Sequence, residues 1–566
     1  MRVSTGALSL FVSFWWMLCC PVAVGLEAYT WPNRHIDLLE HMLYEHSGYH
    51  VNSPASFVVP CGTVSFGAGR NGPAEWIRTA YHDMANADVL AGTGGIDASI
   101  GFELDRDENP GKGFNETLFN LRDFMTARTS MADLIAMGAL FAAGGCSGGK
   151  VLLPFRGGRV DAVGPGLKGV PRPEETLESH EAAFARQGFN QEEMIGLVAC
   201  GHTLGGVHGV DFPEIVDVFN DIATDDNTQT FDSTNEGESS FDNQVARDFI
   251  SNIGKNPLVF GHNVTARSDA RIFDADGGKL IGEMAQSNDL FLNKCQTLLE
   301  RMINTVPRGV TLGGPIDIIP VKPSSLYATV GTSPGKMTIT GLVRLISREN
   351  SWDADPGRKV KIHLRPRSGA ACSDVSPCTV AEATEFSWSR SLYHQAGYPY
   401  FKKYRFSQEI SAKQGISAFD VEVVDTAADG SITTTMHKNG GNGFPFEDKI
   451  LTQPQLTCNG QKTSGLFNLT VAVREDASLT ALKAKFQLPQ PLDALVPVIT
   501  TKSTDLMRIG SIKDTGYTLF HAQYHLPVGT YTLTYDLVAS NATKQVQSTF
   551  NEVPEIKTCP ESDGMA

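Results

Sequence analysis

Basic charge is what this 566-residue chain has too little of: 47 Lys and Arg stand against 63 Asp and Glu, a formal charge of −16. No stretch collects Lys and Arg into a stripe that would neutralise phosphates, so nucleic acid is not an expected partner. Long apolar runs are equally scarce. The one at 7–24 follows Arg2, is interrupted by Pro21 and ends with the small residues Ala23 and Gly25 before Leu26. That layout reads as a cleaved export signal over 1–25, with an uncleaved anchor as the alternative. Nothing later is long and apolar enough to span a bilayer, and the tail after Cys559 is polar, so the expected mature protein is secreted and free of the membrane.

CxxC pairs are missing, which removes the usual zinc pattern. Of the ten cysteines, Cys19 and Cys20 fall in the signal; Cys61, Cys146, Cys200, Cys295, Cys372, Cys378, Cys458 and Cys559 remain. An even set in an exported chain suggests disulfides, and four per half leave three pairings open in each. Sequons at Asn115, Asn263, Asn468 and Asn541 fit export and glycosylation.

With 41% apolar and only 19% charged residues, the chain has the material for ordinary cores and is not disordered. Its organisation changes near residue 320. Up to that point apolar residues recur at spacings of three and four, in 36–44, 74–84, 114–127, 131–143, 173–187, 191–205, 243–252 and 279–304, which predicts a mainly α domain over 26–320. After Pro320-Val-Lys-Pro323 the pattern alternates in short runs separated by Gly, Asn, Asp and Pro, as in 336–345, 418–424, 465–473 and 530–537. This predicts an all-β region over 321–566, built as one or two sandwiches. The aromatic cluster 393–404 reads as strand core, with a carbohydrate-binding face as the alternative.

The chemistry lies in the helical half. Arg78 and His82 are four apart in Trp76-Ile-Arg-Thr-Ala-Tyr-His-Asp83, which puts both on one helix face. Asp83, Gly95, Asp97 and Ser99 follow, a set of carboxylate, carbonyl and hydroxyl oxygens suited to Ca²⁺, with helix caps and turns as the plainer reading. A second histidine, His202, sits in Ala199-Cys-Gly-His-Thr-Leu-Gly-Gly206 at the end of a predicted helix.

Taken with Glu108-Asn-Pro-Gly111, Ser130-Met-Ala-Asp-Leu134, Pro154-Phe-Arg-Gly-Gly-Arg-Val-Asp161, Phe231-Asp-Ser-Thr234, Phe241-Asp242 and Asn288-Asp289, these motifs run in the order found in the plant, fungal and bacterial haem peroxidases. Over roughly 35–320 the chain resembles that superfamily, and its secreted fungal members most. The resemblance implies haem b ligated by His202, with Asp289 accepting the other ring N–H. It implies that His82 is the acid–base catalyst for H₂O₂, that Arg78 stabilises the departing oxygen, and that Asn109 holds His82 Nδ1–H. Peroxide would be reduced to water through a ferryl intermediate while small, phenol-like donors are oxidised one electron at a time. Up to two Ca²⁺ ions are implied, a distal one at Asp83, Gly95, Asp97 and Ser99 and a proximal one at Thr203, Asp232, Thr234 and Asp242. The suggested disulfides are Cys61 with Cys146 and Cys200 with Cys295, then Cys372 with Cys378 and Cys458 with Cys559 in the β region.

Departures from the family narrow the substrate. Phe231 stands where a relative carries a proximal Trp, Tyr81 precedes the distal His, and Leu197 takes the place of an exposed Trp. Of three acids that bind Mn²⁺ in relatives only Glu75 matches, with Asn71 and His208 at the others; His208 reads as a packing or hydrogen-bonding residue. The alternative to an enzyme is a secreted adhesion protein whose β-rich half does the binding, through an extracellular polymer or surface.

Overall fold

The computed structural model describes residues 29–45, 53–58, 61–62, 69–217, 227–233, 240–369, 378–391, 393–460, 465–479, 481–527, 533–552 and 558–559. The signal segment 1–25, Thr234 and Cys372 lie outside them. Among the described residues no helix is long and apolar enough to cross a membrane.

The helical half contains α1 (Arg34–Tyr44), α2 (Gly72–Ala85), α3 (Gly113–Arg122), α4 (Met131–Cys146), α5 (Leu177–Arg186), α6 (Gln191–Gly201), α7 (Gln244–Ser251), α8 (Pro257–Phe260), α9 (Ser268–Phe273), α10 (Lys279–Gln286) and α11 (Asn288–Asn304), with a small ribbon of Gly206–His208 on Thr228–Thr230. Caps explain where the key helices begin. Asn71 accepts from Ala74 N ahead of α2, with Pro73 in its first turn. Ser130 accepts from Asp133 N at α4, and Asn190 with Glu193 forms a capping box at α6. α4 is apolar almost all round and is buried nearly end to end, so it forms the spine against which α2 packs. Trp76 of α2 fills the place where Gly138 of α4 has no side chain; a Cβ there would come within 2.8 Å of the indole. That close approach fixes the face of α2 that carries Arg78 and His82.

Three disulfides match the expected pairings: Cys61–Cys146, Cys200–Cys295 and Cys458–Cys559. The second ties the end of α6, next to His202, to α11.

The β-rich region begins at Val321. Its first part is an eight-stranded sheet whose spatial order runs Phe444–Pro445, Ala418–Thr426, Arg358–Arg365, Thr379–Arg390, Tyr400–Ser411, Lys336–Ile346, Val321–Val330, with Ile432–His437 also pairing on Ala418–Thr426. Its second part packs a five-stranded sheet around Leu466–Arg474 against a four-stranded sheet around Ala481–Gln490, enclosing Phe467, Phe486, Tyr535 and Leu537. The two parts have separate apolar cores, as alternating burial along their strands requires.

The joint between the halves is ionic. Register places Lys322, Arg344 and Lys403 side by side on three neighbouring strands, an arrangement that repels unless opposite charge faces it. α1 supplies that charge. Glu40 pairs with Arg344 at 2.6 Å and with Lys322, while Glu45 pairs with Arg344 at 2.7 Å and Lys403 at 3.0 Å and accepts from Ser389 at 2.8 Å. All six residues are buried. Burial alone would raise both carboxyls, but the facing cations hold them below the usual range, well below for Glu45 with His41 contributing. Tyr393, from the turn after Thr379–Arg390, adds an apolar tie: it packs into the helical core and donates to Leu140 O at 3.3 Å.

Candidate active site

α2, α6, α9 and the segments around Pro110, Pro171 and Phe231 enclose a cavity of about 410 Å³. One wall presents Arg78 and His82; another presents His202, Asp269 and Phe231. Two histidines some 120 residues apart in sequence thus line one chamber, as the motif order implies.

On the first wall His82 Nδ1 lies 2.8 Å from Asn109 Oδ1. Asn109 Nδ2 donates to Glu103 O at 3.0 Å, which fixes the amide so that its oxygen faces the imidazole. His82 therefore carries its proton on Nδ1, and Nε2 is an acceptor. Burial, then the Arg78 charge, holds His82 well below the ordinary histidine range, so it is neutral at physiological pH; the hydrogen bond to Asn109 opposes this only in part. Phe114 lies against both side chains, with its ring 4.7 Å from that of His82 and 4.2 Å from the Arg78 guanidinium carbon. Arg78 donates to Pro110 O at 2.9 Å, and burial pulls its pKa down against the pull of Glu75 and Asp211.

The second wall corrects one sequence assignment. His202 Nδ1 stands 2.9 Å from Asp269 Oδ2, not from Asp289. Asp269 is fully buried in the first turn of α9, whereas Asp289 is exposed in the first turn of α11. Helical phase explains why: Asn288, not Asp289, continues the inward stripe of Phe291, Cys295, Leu298 and Met302, and Asn288 Oδ1 accepts from Asn243 N at 3.0 Å. Asp269 Oδ2 also accepts from Asn256 Nδ2 at 2.9 Å, and Ser268 Oγ reaches Oδ1 at 3.3 Å. Both Asn256 and Asp269 escaped the motif reading; the Ser-Asp pair at the start of a short apolar helix was the available signal. Phe231 stacks on the His202 ring at 4.4 Å and 16°.

The loop after α2 draws the distal calcium candidates together. Asp83 Oδ2 accepts from Asp97 N and Ala98 N, and its Oδ1 accepts from Ile100 N, at 2.8–3.0 Å. Asp97 Oδ1 accepts from Ser99 N at 3.1 Å, and Asn86 joins Ser99 Oγ at 2.7 Å to Gly95 N at 2.9 Å. Gly95, at φ 111°, seats the loop on the end of α11, where a Cβ would lie 2.6 Å from Thr305 O. Burial, then the Asp97 charge, raises Asp83 well above the carboxylate range. Among the described residues neither acid has a Lys or Arg ion pair, and no three His, Cys, Asp or Glu side chains converge as a metal cluster. On the proximal side Thr203 Oγ1 donates to Asp242 O at 2.5 Å and accepts from Asp242 N at 3.3 Å, and Asp232 is buried nearby in sequence.

Glu75 lines the cavity beside Arg70, 3.7 Å away, and burial followed by the Glu116 charge pushes it up to about 8. His208 Nδ1 lies 2.8 Å from Thr228 Oγ1, a hydrogen-bonding role.

The peroxidase family model matches residues 64–287, the segment that builds this chamber. Over that segment the chain carries a domain of the haem peroxidase superfamily. Within that superfamily the chain is 28% identical over 177 residues to a putative L-ascorbate peroxidase 6 of Arabidopsis thaliana, covering 30% of this chain and 51% of that one. It is 33% identical over 150 residues to manganese peroxidase 3 of Phlebia radiata, 24% of this chain and 40% of that one. A WSC domain-containing protein of Arthroderma benhamiae is 37% identical over 405 residues, 70% of this chain and 52% of that one, and its match extends beyond the peroxidase segment. The chain spans about half the length of these two curated relatives, the Arthroderma and Arabidopsis proteins.

Proposed function

We propose that the protein is a secreted haem peroxidase that reduces H₂O₂ and oxidises small phenol-like donors. The observation that carries this reading is the pair of oppositely prepared histidines on one cavity, His82 with a free Nε2 and His202 with Nδ1 bound to a buried carboxylate. The residues fit haem: with Nδ1 engaged by Asp269, His202 has Nε2 left to hold haem iron, and the hydrogen bond would make the imidazole a stronger donor. Bound haem would supply the redox chemistry that the chain lacks. The chain's own part is proton handling. His82 Nε2 takes a proton from H₂O₂ and returns it to the departing oxygen, while the Arg78 guanidinium offsets the charge that develops there. Asn109 keeps the proton of His82 on Nδ1, and Phe114 holds both side chains in place.

The same reading gives Asp83, Gly95, Asp97 and Ser99 to a distal Ca²⁺ that would relieve the buried acid pair, and Thr203, Asp232, Thr234 and Asp242 to a proximal one. The electrostatics at Glu75, flanked by Arg70 and Arg78, do not favour a Mn²⁺ site. The β-rich region gives the enzyme a surface for an extracellular polymer. The test is His82→Leu in haem-reconstituted protein: H₂O₂ reaction followed by stopped-flow absorbance should slow by roughly 10²–10⁴-fold with haem still bound. A rate equal to that of the unmodified protein would overturn the assignment.

A further inference from the structure

We propose that Trp352, Trp388 and Tyr400 form a binding surface for a neutral, β-linked polysaccharide chain, which deepens the polymer reading of the β-rich region and does not depend on the haem site.

Large aromatic rings normally leave water, yet Trp352 is 57% exposed and Trp388 44% exposed, and they are neighbours. Their centroids lie 6.4 Å apart, and Trp388 continues to the ring of Tyr400 at 6.1 Å. Phe386, 50% exposed two residues before Trp388, is instead covered by the Arg405 guanidinium over its ring.

The row is held, not loose. Trp352 sits in the turn between Lys336–Ile346 and Arg358–Arg365, and the wholly buried Lys402 donates its ammonium to Trp352 O at 2.7 Å and to Asp353 O. Asn350 Oδ1 accepts from Tyr400 N at 2.9 Å, Ser347 N donates to Tyr400 O at 2.7 Å, and Glu385 reaches both Lys402 and Asp355 N at 3.3 Å. Burying an ammonium is costly unless it is paired, so a lysine spent on two turn carbonyls and one carboxylate fixes the turn that presents Trp352. Tyr393 and Tyr404, from the same aromatic cluster in the sequence, are buried in the helical and first β cores. The cluster has divided: part is core, and Tyr400 has turned to the exposed row.

The geometry selects the partner. A pyranose with equatorial hydroxyls has flat faces of C–H bonds that stack on indole and phenol rings. The net charge of −16 repels polyanions, leaving a neutral polymer as the complementary occupant. Successive rings are inclined by 44° and 49°, so they suit a twisted single chain and not a flat crystalline surface.

The test uses the full chain with laminarin, a soluble β-1,3-glucan, and with cellohexaose and dextran as comparisons. Tryptophan fluorescence titration should show laminarin binding tighter than cellohexaose and no dextran binding. Trp388→Ala and Trp352→Ala should each weaken laminarin by about tenfold or more, and Trp388→Phe by less, with melting midpoint and H₂O₂ reaction unchanged. The proposal is overturned by no binding of either laminarin or cellohexaose, by equal affinity in the double alanine variant, by preference for dextran, or by a dimer in sedimentation that Trp388→Ala dissociates.

Discussion

His202 donates its Nδ1–H to Asp269 Oδ2, and Asn256 donates to the same carboxylate oxygen. Two donors on one oxygen share its charge, so each weakens the other's hold. Asp269→Asn should raise the reduction potential of bound haem, because a neutral acceptor leaves the imidazole a poorer donor. Asn256→Leu should lower it, by returning the whole carboxylate to His202. Asp289→Asn should leave it unchanged. Redox titration of the three reconstituted variants separates these outcomes.

The pH dependence of the peroxide reaction should follow His82. Burial and Arg78 hold its pKa well below 6.5, so the base stays neutral and the acid limb of the rate profile should lie below that value. Asn109→Asp puts an anion on Nδ1–H and favours the imidazolium; the acid limb should then move to higher pH. Stopped-flow rates between pH 3 and 8 measure the displacement.

Most of the helices, the change near residue 320 and the His82 wall were legible because they rest on local signals, helical period, caps and four-residue spacing; the short helices at 257–260 and 268–273 and the break at Ser287 within 279–304 were not. Three of the expected cysteine pairings, two in the helical half and one in the β-rich region, also match. Asp269 was not legible, since Ser268-Asp269 and Ser287-Asn-Asp289 both begin helices and only the turn of α11 shows that Asp289 faces away. Nor was the joint between the halves. Lys322, Arg344 and Lys403 are single cations in separate strands of the sequence, and their alignment exists only once register is set.

Arg344→Leu should destabilise the protein by roughly 3–5 kcal/mol, because it removes the guanidinium that Glu40 and Glu45 share. Calorimetry should show the two halves melting separately where the native chain melts together. The sign with pH follows from the depressed carboxyls. Their contribution is complete above the ordinary Glu value of 4.5 and is lost as pH falls through the lower folded values, so acid should uncouple the native halves as well.

Calcium should stabilise the protein through Asp83. A hundredfold excess over the dissociation constant contributes about 2.7 kcal/mol, read as a rise in melting midpoint that Asp83→Asn abolishes. In chelator the folded Asp83 pKa is raised, so stability present at low pH should fall as pH rises through that value; added Ca²⁺ should flatten the dependence.

The row of three cations against α1 also limits how this gene can be rearranged. A recombination that exchanged the β-rich half for an unrelated module would take from Glu40 and Glu45 the three cations that face them, leaving Glu45 only its neighbour His41. The helical half would then need compensating changes in α1 before it folded. Glu40, Glu45, Lys322, Arg344, Lys403 and Ser389 are therefore a unit of inheritance that crosses the domain boundary, and relatives that keep one side of it should keep the other.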